Sequence, residues 1–202
     1  MEKARLEAFS DGVFAIVITL LILEIRLPEV DYAHLPQALR EVLPRIMAYV
    51  MSFFIIGLYW VSHHNSMHPL KKVDRGFLWL NMLLLLFVSF LPFPTSLLGR
   101  YPFRALPIVL YGGSLIACNG IGFLMMLYVR YHPELAGPDY AEKYFRRQLP
   151  IYAMVNGSYL VGMALAPVAP GISYGIYGAV VISLIVFLTK WHMRVLDRQG
   201  GN

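Results

Sequence analysis

Arg5-Leu-Glu-Ala-Phe9-Ser10-Asp11-Gly12 runs without a break into Val13-Phe-Ala-Ile16-Val-Ile-Thr19-Leu20-Leu-Ile-Leu23-Glu24. A carboxylate therefore stands at the mouth of an apolar stretch. Unpaired near the centre of a membrane helix, such a group costs about 2.5–3.5 kcal/mol on insertion scales. A chain that keeps Asp11 there is expected to partner it inside a helix bundle. Asp11 and Glu24 enclose only 12 uncharged residues, short of the roughly 20 that cross hydrocarbon. A span over about 9–27 is predicted, with both carboxylates near the interfaces or shielded by protein.

Composition sets the class. Of 202 residues, 58% are hydrophobic and 14% charged, against about 25% charged in soluble domains. The mean hydropathy is +0.59. This describes an integral protein of the lipid bilayer with no room for a soluble catalytic domain. The net charge of +5 is read as basic flanks on the cytoplasmic side, not as a nucleic-acid surface. The single cysteine, Cys118, sits in an apolar stretch, excludes a disulfide within the chain and reads as core packing. Residues 13–23 resemble a signal-peptide core, but Glu24 and Arg26 follow and no Ala-x-Ala-like site does, so cleavage is not expected.

Charge-free stretches predict an all-α polytopic protein of six transmembrane helices. The spans cover about 9–27, 46–65, 76–98, 105–129, 149–167 and 171–190, in one domain over 1–202. Pro167-Val-Ala-Pro170-Gly171 divides the last long run, and Pro92-Phe-Pro94 should bend or end the third helix. Residues 33–42 and 139–148 read as separate short interfacial helices. Lys3, Arg5, Lys71, Lys72, Arg75, Arg130, Lys143, Arg146, Arg147, Lys190, Arg194 and Arg198 fall on one side. Only Arg26, Arg40, Arg45, Arg100 and Arg104 fall on the other. The richer side faces the cytoplasm, which puts both termini there. Tyr49, Tyr59, Trp60, Trp79 and Trp191 lie near span ends, where amphipathic rings favour the headgroups. Two rows of small residues, Ser158/Gly162/Ala166 and Gly171/Gly175/Ala179/Ser183, permit close helix approach and read as packing within the protomer.

A helical wheel divides the first helix. At 100° per residue with Ile16 at zero, Gly12, Thr19, Leu20, Leu23 and Phe9 fall within about ±60°, whereas Asp11 lies near −140° and Ser10 near +120°. Asp11 and the Ile16/Leu20/Leu23 stripe cannot face the same space. Asp11 either faces an ion path, or pairs internally with Arg5, His63, His64 or Asn81, or shares with Ser10 the capping of the helix start. The stripe is either core, lipid-facing surface or pore wall. Thr19 is expected to bond a carbonyl one turn back, at Ala15.

Arg5-x-x-x-Phe9-Ser10-Asp11 ahead of an apolar helix resembles the signature of the transmembrane-protein-175 family of potassium channels. That family holds endosomal and lysosomal channels and their prokaryotic relatives. The resemblance extends through Trp60, His63, Asn81 and Pro92-Phe-Pro94-Thr95. It implies six helices per repeat with the first lining a central pore, and a homotetramer for a single-repeat chain such as this one. It also implies a hydrophobic constriction at Ile16, Leu20 and Leu23, and a contribution of Thr19 to potassium preference. Arg5, Phe9, Ser10, Asp11, Trp60, His63 and Asn81 would then form a structural network near the cytoplasmic end.

The function this predicts is a modestly selective, potassium-permeable cation channel of the cell membrane, with potassium as permeant ligand and no cofactor. No Thr-Val-Gly-Tyr-Gly filter occurs in the chain, which excludes a carbonyl-cage filter of that kind. Glu24, near +80° on the wheel, reads either as an attractor of cations at the outer mouth or as a solvated helix end. The alternative is a proton- or metal-coupled transporter using His63, His64, His68 and Asp11. Adjacent His63 and His64 point about 100° apart on a helix, which suits two partners better than one metal ion, and no metal site is expected. An intramembrane enzyme is not expected, because Ser89, Ser114 and Ser183 lack a companion His or Asp at evident spacing.

Overall fold

The computed structural model describes residues 2–199, and the side chains of residues 138, 140 and 189–199 fall outside that description. The predicted interfacial position of Trp191 and the Lys190, Arg194 and Arg198 side chains belong to the part not described. Among the described residues there are helices and connections but no strand. Helix α1 (Lys3–Leu20) ends in a 3-10 turn, Leu21–Glu24, and a second 3-10 turn, Tyr32–His34, leads into α2 (Leu35–Met67). Then come α3 (Arg75–Phe90), α4 (Pro92–Arg100), α5 (Ala105–Tyr131), α6 (Pro138–Leu165) and α7 (Pro170–Gln199). α1 packs on α2 and α3, α2 on α4, α3 on α5, and α5, α6 and α7 pack in sequence.

Among the described residues, five helical stretches are long and apolar enough to cross a membrane by length and composition: Lys3–Glu24, Tyr32–Met67, Arg75–Arg100, Ala105–Tyr131 and Pro170–Leu188. The remaining predicted span is the apolar half of α6, residues 149–165, which rises about 25 Å at 1.5 Å per residue. It carries no charge, but Tyr152, Asn156, Ser158 and Tyr159 make it less apolar than the other five. The third span is α3 plus α4, interrupted at Leu91, with Pro92 at the first position of α4, where its missing N–H leaves nothing unpaired. Asp74 caps α3, accepting from the Phe77 N–H at 2.9 Å and from the Tyr128 hydroxyl at 2.8 Å.

Several boundaries differ from the predicted ones. The first helix starts at Lys3 and its last turn closes at Glu24, not at about 9 and 27. Residues 35–42 and 139–148 are not separate interfacial helices; they are the first turns of α2 and α6, which run on through Pro44 and Pro150. A proline removes one N–H donor, whereas breaking the helix would leave several backbone groups unpaired beside hydrocarbon.

The small-residue rows divide. On α6, Gly162 and Ala166 are buried in the protomer. A Cβ on Gly112 would lie 2.3 Å from the Tyr177 hydroxyl, and one on Gly162 2.5 Å from its ring. Tyr177 therefore needs both glycines to reach the Ile108 carbonyl, to which it donates at 3.2 Å. The α7 row does not pack within the protomer: Gly171, Gly175, Ala179 and Ser183 are exposed, because α7 turns Ser173, Tyr177, Val180 and Val181 inward instead.

Candidate functional site

Helix α1 has one anchored face and one uncovered face. Leu6, Ser10, Phe14, Val17 and Leu21 recur every three or four residues and are all buried, against α2 and α3. The opposite stripe is open: Ile16 is 59% exposed, Leu20 46% and Leu23 61%. Thr19, Ala15 and Gly12 are exposed beside them. The stripe is thus not core of the protomer.

The wheel places Leu23 on the stripe as part of a continuous α-helix, whereas the helix has changed its pitch by then. Leu23 belongs to the 3-10 turn Leu21–Glu24, in which side chains three apart eclipse one another. Leu23 and Leu20 are both exposed. The Thr19 hydroxyl, as expected, turns back on the helix and donates to the Ala15 carbonyl (3.0 Å) or the Ile16 carbonyl (2.9 Å). With its proton used on the backbone, the oxygen keeps its acceptor lone pairs for whatever faces the stripe.

The anchored face carries a buried polar chain. Ser10 donates to the Leu6 carbonyl at 2.9 Å. Asn81 of α3 donates to Ser10 Oγ at 3.0 Å and pairs through its Oδ1 with His63 Nε2 of α2 at 2.7 Å. The three side chains are between 0% and 4% exposed, and the His63 ring packs on Phe14 with centroids 5.5 Å apart. Three helices are tied at one point by groups that would be costly to bury singly.

Asp11 is outside this chain. It is exposed, and its Oδ1 accepts from the Trp60 indole N–H at 2.8 Å. The internal pairings considered for it, with Arg5, His63, His64 or Asn81, are not made; Ser10, one residue and about 100° away, takes the place toward Asn81. Nor does either residue cap the helix, which began two turns earlier. Phe9 is half exposed and Arg5 exposed, with no ion pair for Arg5 among the described residues. The predicted network thus separates into a buried Ser10–Asn81–His63 triad, a surface Asp11–Trp60 pair, and two residues that join neither. His64 stacks on Trp60 at 5.8 Å and lies 6.4 Å from the His68 ring, away from His63. Among the described residues no group of three or more His, Cys, Asp or Glu side chains is placed to hold a metal ion.

At the other end of α1 two contacts emerge that sequence reasoning missed. Ser96 of α4 donates to Glu24 Oε2 at 2.6 Å, and Arg45 of α2 donates to the Arg26 carbonyl at 3.0 Å. Gly99 lets α4 come this close, since a Cβ there would stand 2.8 Å from the Arg45 Cα. Ser96 follows the Pro92-Phe-Pro94-Thr95 motif directly, which was the available signal.

Residues 5–92 match the profile of the family described as endosomal/lysosomal potassium channel TMEM175. Over 187 residues the chain is 35% identical to Potassium channel Cha6605_3372 of Chamaesiphon minutus, covering 87% of this chain and 89% of the relative. It is 44% identical over 117 residues to Potassium channel HX13_20290 of a Chryseobacterium species, and so spans 59% of that relative's length and 57% of its own. A crystal structure of a lysosomal potassium-selective channel TMEM175 homolog from Chamaesiphon minutus superposes with a TM-score of 0.78 at 32% identity, covering 91% of this chain and 96% of that one.

Proposed function

The chain belongs to the TMEM175 family, and we propose that it forms a potassium-permeable cation channel whose gate and filter are the uncovered stripe of α1. Four copies place α1 around a central axis in the cell membrane, with both termini cytoplasmic. Ile16, Leu20 and Leu23 then form apolar rings that exclude water when narrow, and a hydrophobic constriction of that kind gates by dewetting. The observation that carries this reading is the division of α1. Its polar face is fixed by the Ser10–Asn81–His63 triad, while its apolar face is left open on a helix otherwise wedged between α2 and α3. The Thr19 lone pairs supply the one polar ring among the apolar ones. A weakly hydrated cation gives up its water to them more readily than a strongly hydrated one, so potassium passes somewhat better than sodium. Glu24, held by Ser96, adds negative charge at the outer mouth.

The test is potassium flux from liposomes containing the purified protein, followed by cysteine accessibility along residues 12–24 in a Cys118→Ser background. Cysteines at 16, 19, 20 and 23 should react with water-borne reagents, and those at 14, 17 and 21 should not. Reaction of the stripe with membrane-partitioned reagents alone, with another helix accessible from water, would overturn the reading.

A further inference from the structure

A cavity of about 320 Å³ lies at the end of the bundle where α1 finishes, near the lower limit of the roughly 300–1,000 Å³ typical of small-molecule sites. Three elements share its wall. The turn that ends α1 and the chain after it contribute Glu24 and Arg26, α2 contributes Arg45 and Tyr49, and α4 contributes Ser96 and Arg100. Of the five arginines expected on that side of the membrane, three thus converge on one cavity.

Arg26 and Arg100 are exposed and Arg45 is half-buried. Among the described residues none of the three is in an ion pair. Glu24 is the one carboxylate on the wall, and its Oε2 accepts from Ser96. Arg45 uses Nη1 on the Arg26 carbonyl, which leaves the other donors of its guanidinium. Cations gathered in this way repel one another, and a single carboxylate offsets only one of them. The arrangement is balanced when an anion sits among them. A phosphate group has several oxygens to share among three guanidinium forks, each of which matches a pair of them.

We propose that this cavity binds a phosphate group between Arg26, Arg45 and Arg100, and that the bound group braces the outer turn of α1 against α2 and α4. The phosphate comes either from a lipid headgroup of the leaflet on that side or from free phosphate in the water.

Delipidated protein in an uncharged detergent is titrated with inorganic phosphate at constant ionic strength, and its melting is followed. A second sample passes through nanodiscs of phosphatidylcholine with and without phosphatidylglycerol and is weighed by native mass spectrometry. If the source is free phosphate, inorganic phosphate raises the melting temperature, because a ligand of the folded state stabilises it, and neither lipid is preferred. If the source is a headgroup, phosphatidylglycerol is retained in preference to phosphatidylcholine and is displaced by excess inorganic phosphate. In either case Arg26→Gln and Arg100→Gln should each weaken binding about tenfold, the loss of one charge-assisted hydrogen bond. Arg26→Gln keeps the carbonyl that Arg45 holds. Glu24→Gln removes the opposing charge and should tighten binding. Arg40→Gln, which removes an exposed arginine of α2 outside the cavity, should change nothing. No response to phosphate together with equal retention of the two lipids would overturn the proposal, as would equal losses in the Arg26, Arg40 and Arg100 variants, which would show diffuse surface charge only. Both measurements read no current, so they stand or fall separately from ion conduction.

Discussion

Asn81 of α3 donates its side-chain amide to Ser10 Oγ of α1 at 3.0 Å, in a site where both residues are fully buried. The same amide accepts from His63 on α2, so one side chain links three helices. Asn81→Ala leaves two polar partners buried without it. An orphaned buried group costs about 1–3 kcal/mol, while polar pairs between membrane helices measure about 0.6 and at most about 1.7 kcal/mol. The variant should therefore lose about 1–2 kcal/mol and melt earlier in detergent. An unchanged melting temperature would show that the triad contributes nothing to holding α1.

Ile16→Asn and Leu23→Ala each loosen one apolar ring, the first by wetting it and the second by widening it. Both should raise potassium flux or weaken closure, by an amount readable in single-channel recordings. Thr19→Val keeps the size and removes the oxygen, and should lower the preference for potassium over sodium while sparing conductance. Wild-type currents and ion preference in all three would leave the stripe without a part in permeation.

Asp11 and Trp60 touch at the surface of the protomer, so their variants should act together. Asp11→Ala and Trp60→Phe are each expected to reduce assembled protein more than they alter ion preference. A double-mutant cycle on stability should return a coupling of about 0.5–1.5 kcal/mol, the net worth of one hydrogen bond. A fully assembled Asp11→Ala channel with changed selectivity would place that carboxylate in the ion path instead.

Ser96→Ala frees the Glu24 carboxylate and with it the turn that carries Leu23. Water-borne reagent should then react faster with a cysteine at 23, while a cysteine at 16 reacts at its former rate. Ser96→Thr should restore the original pattern. Equal acceleration at both positions would indicate general loosening of α1 and not release of its outer turn.

Asp74 gives a pH signature outside the membrane. Burial works against its charge, but the Phe77 N–H and the Tyr128 hydroxyl outweigh that and hold its carboxyl below the usual range. A carboxyl whose folded value is depressed contributes stability above its unfolded value, about 3.9, and loses it as pH falls through the folded value. The Asp74 contribution should be constant from neutral pH to about 5 and shrink in the acid range below about 4. Comparing acid unfolding of the wild type with Asp74→Asn, which keeps a capping oxygen but does not titrate, isolates it. Identical acid limbs would remove Asp74 from the account.

How far one dimension reaches is clearest on α1. The 3.6-residue period is local, so the angular separation of Asp11 from the Ile16/Leu20/Leu23 stripe could be read directly, but which of the two the protomer buries could not: both are exposed, and Ser10 faces inward instead. The family signature likewise lies in a few consecutive residues. Which neighbour each polar group meets could not be read. Trp60 and Ser96 stand 49 and 72 residues from their carboxylate partners, and nothing in the spacing selects them over His63 or water. The 3-10 turn under Leu23 was also invisible, because the same residues suit an α-helix as well, and the turn lies where α1 meets α2 and α4.

The membrane class, the six spans and the family were set by composition, hydropathy runs and short motifs, since solvent preference is a property of each residue by itself. Three-dimensional packing alone decided that Ser10 and not Asp11 turns inward, that α7 presents Gly171, Gly175, Ala179 and Ser183 outward, and that Arg26, Arg45 and Arg100 gather on one cavity. In lipid the apolar faces of a helix are nearly equivalent in transfer energy. Steric fit and hydrogen-bond partners therefore choose among them, and both depend on which helices meet.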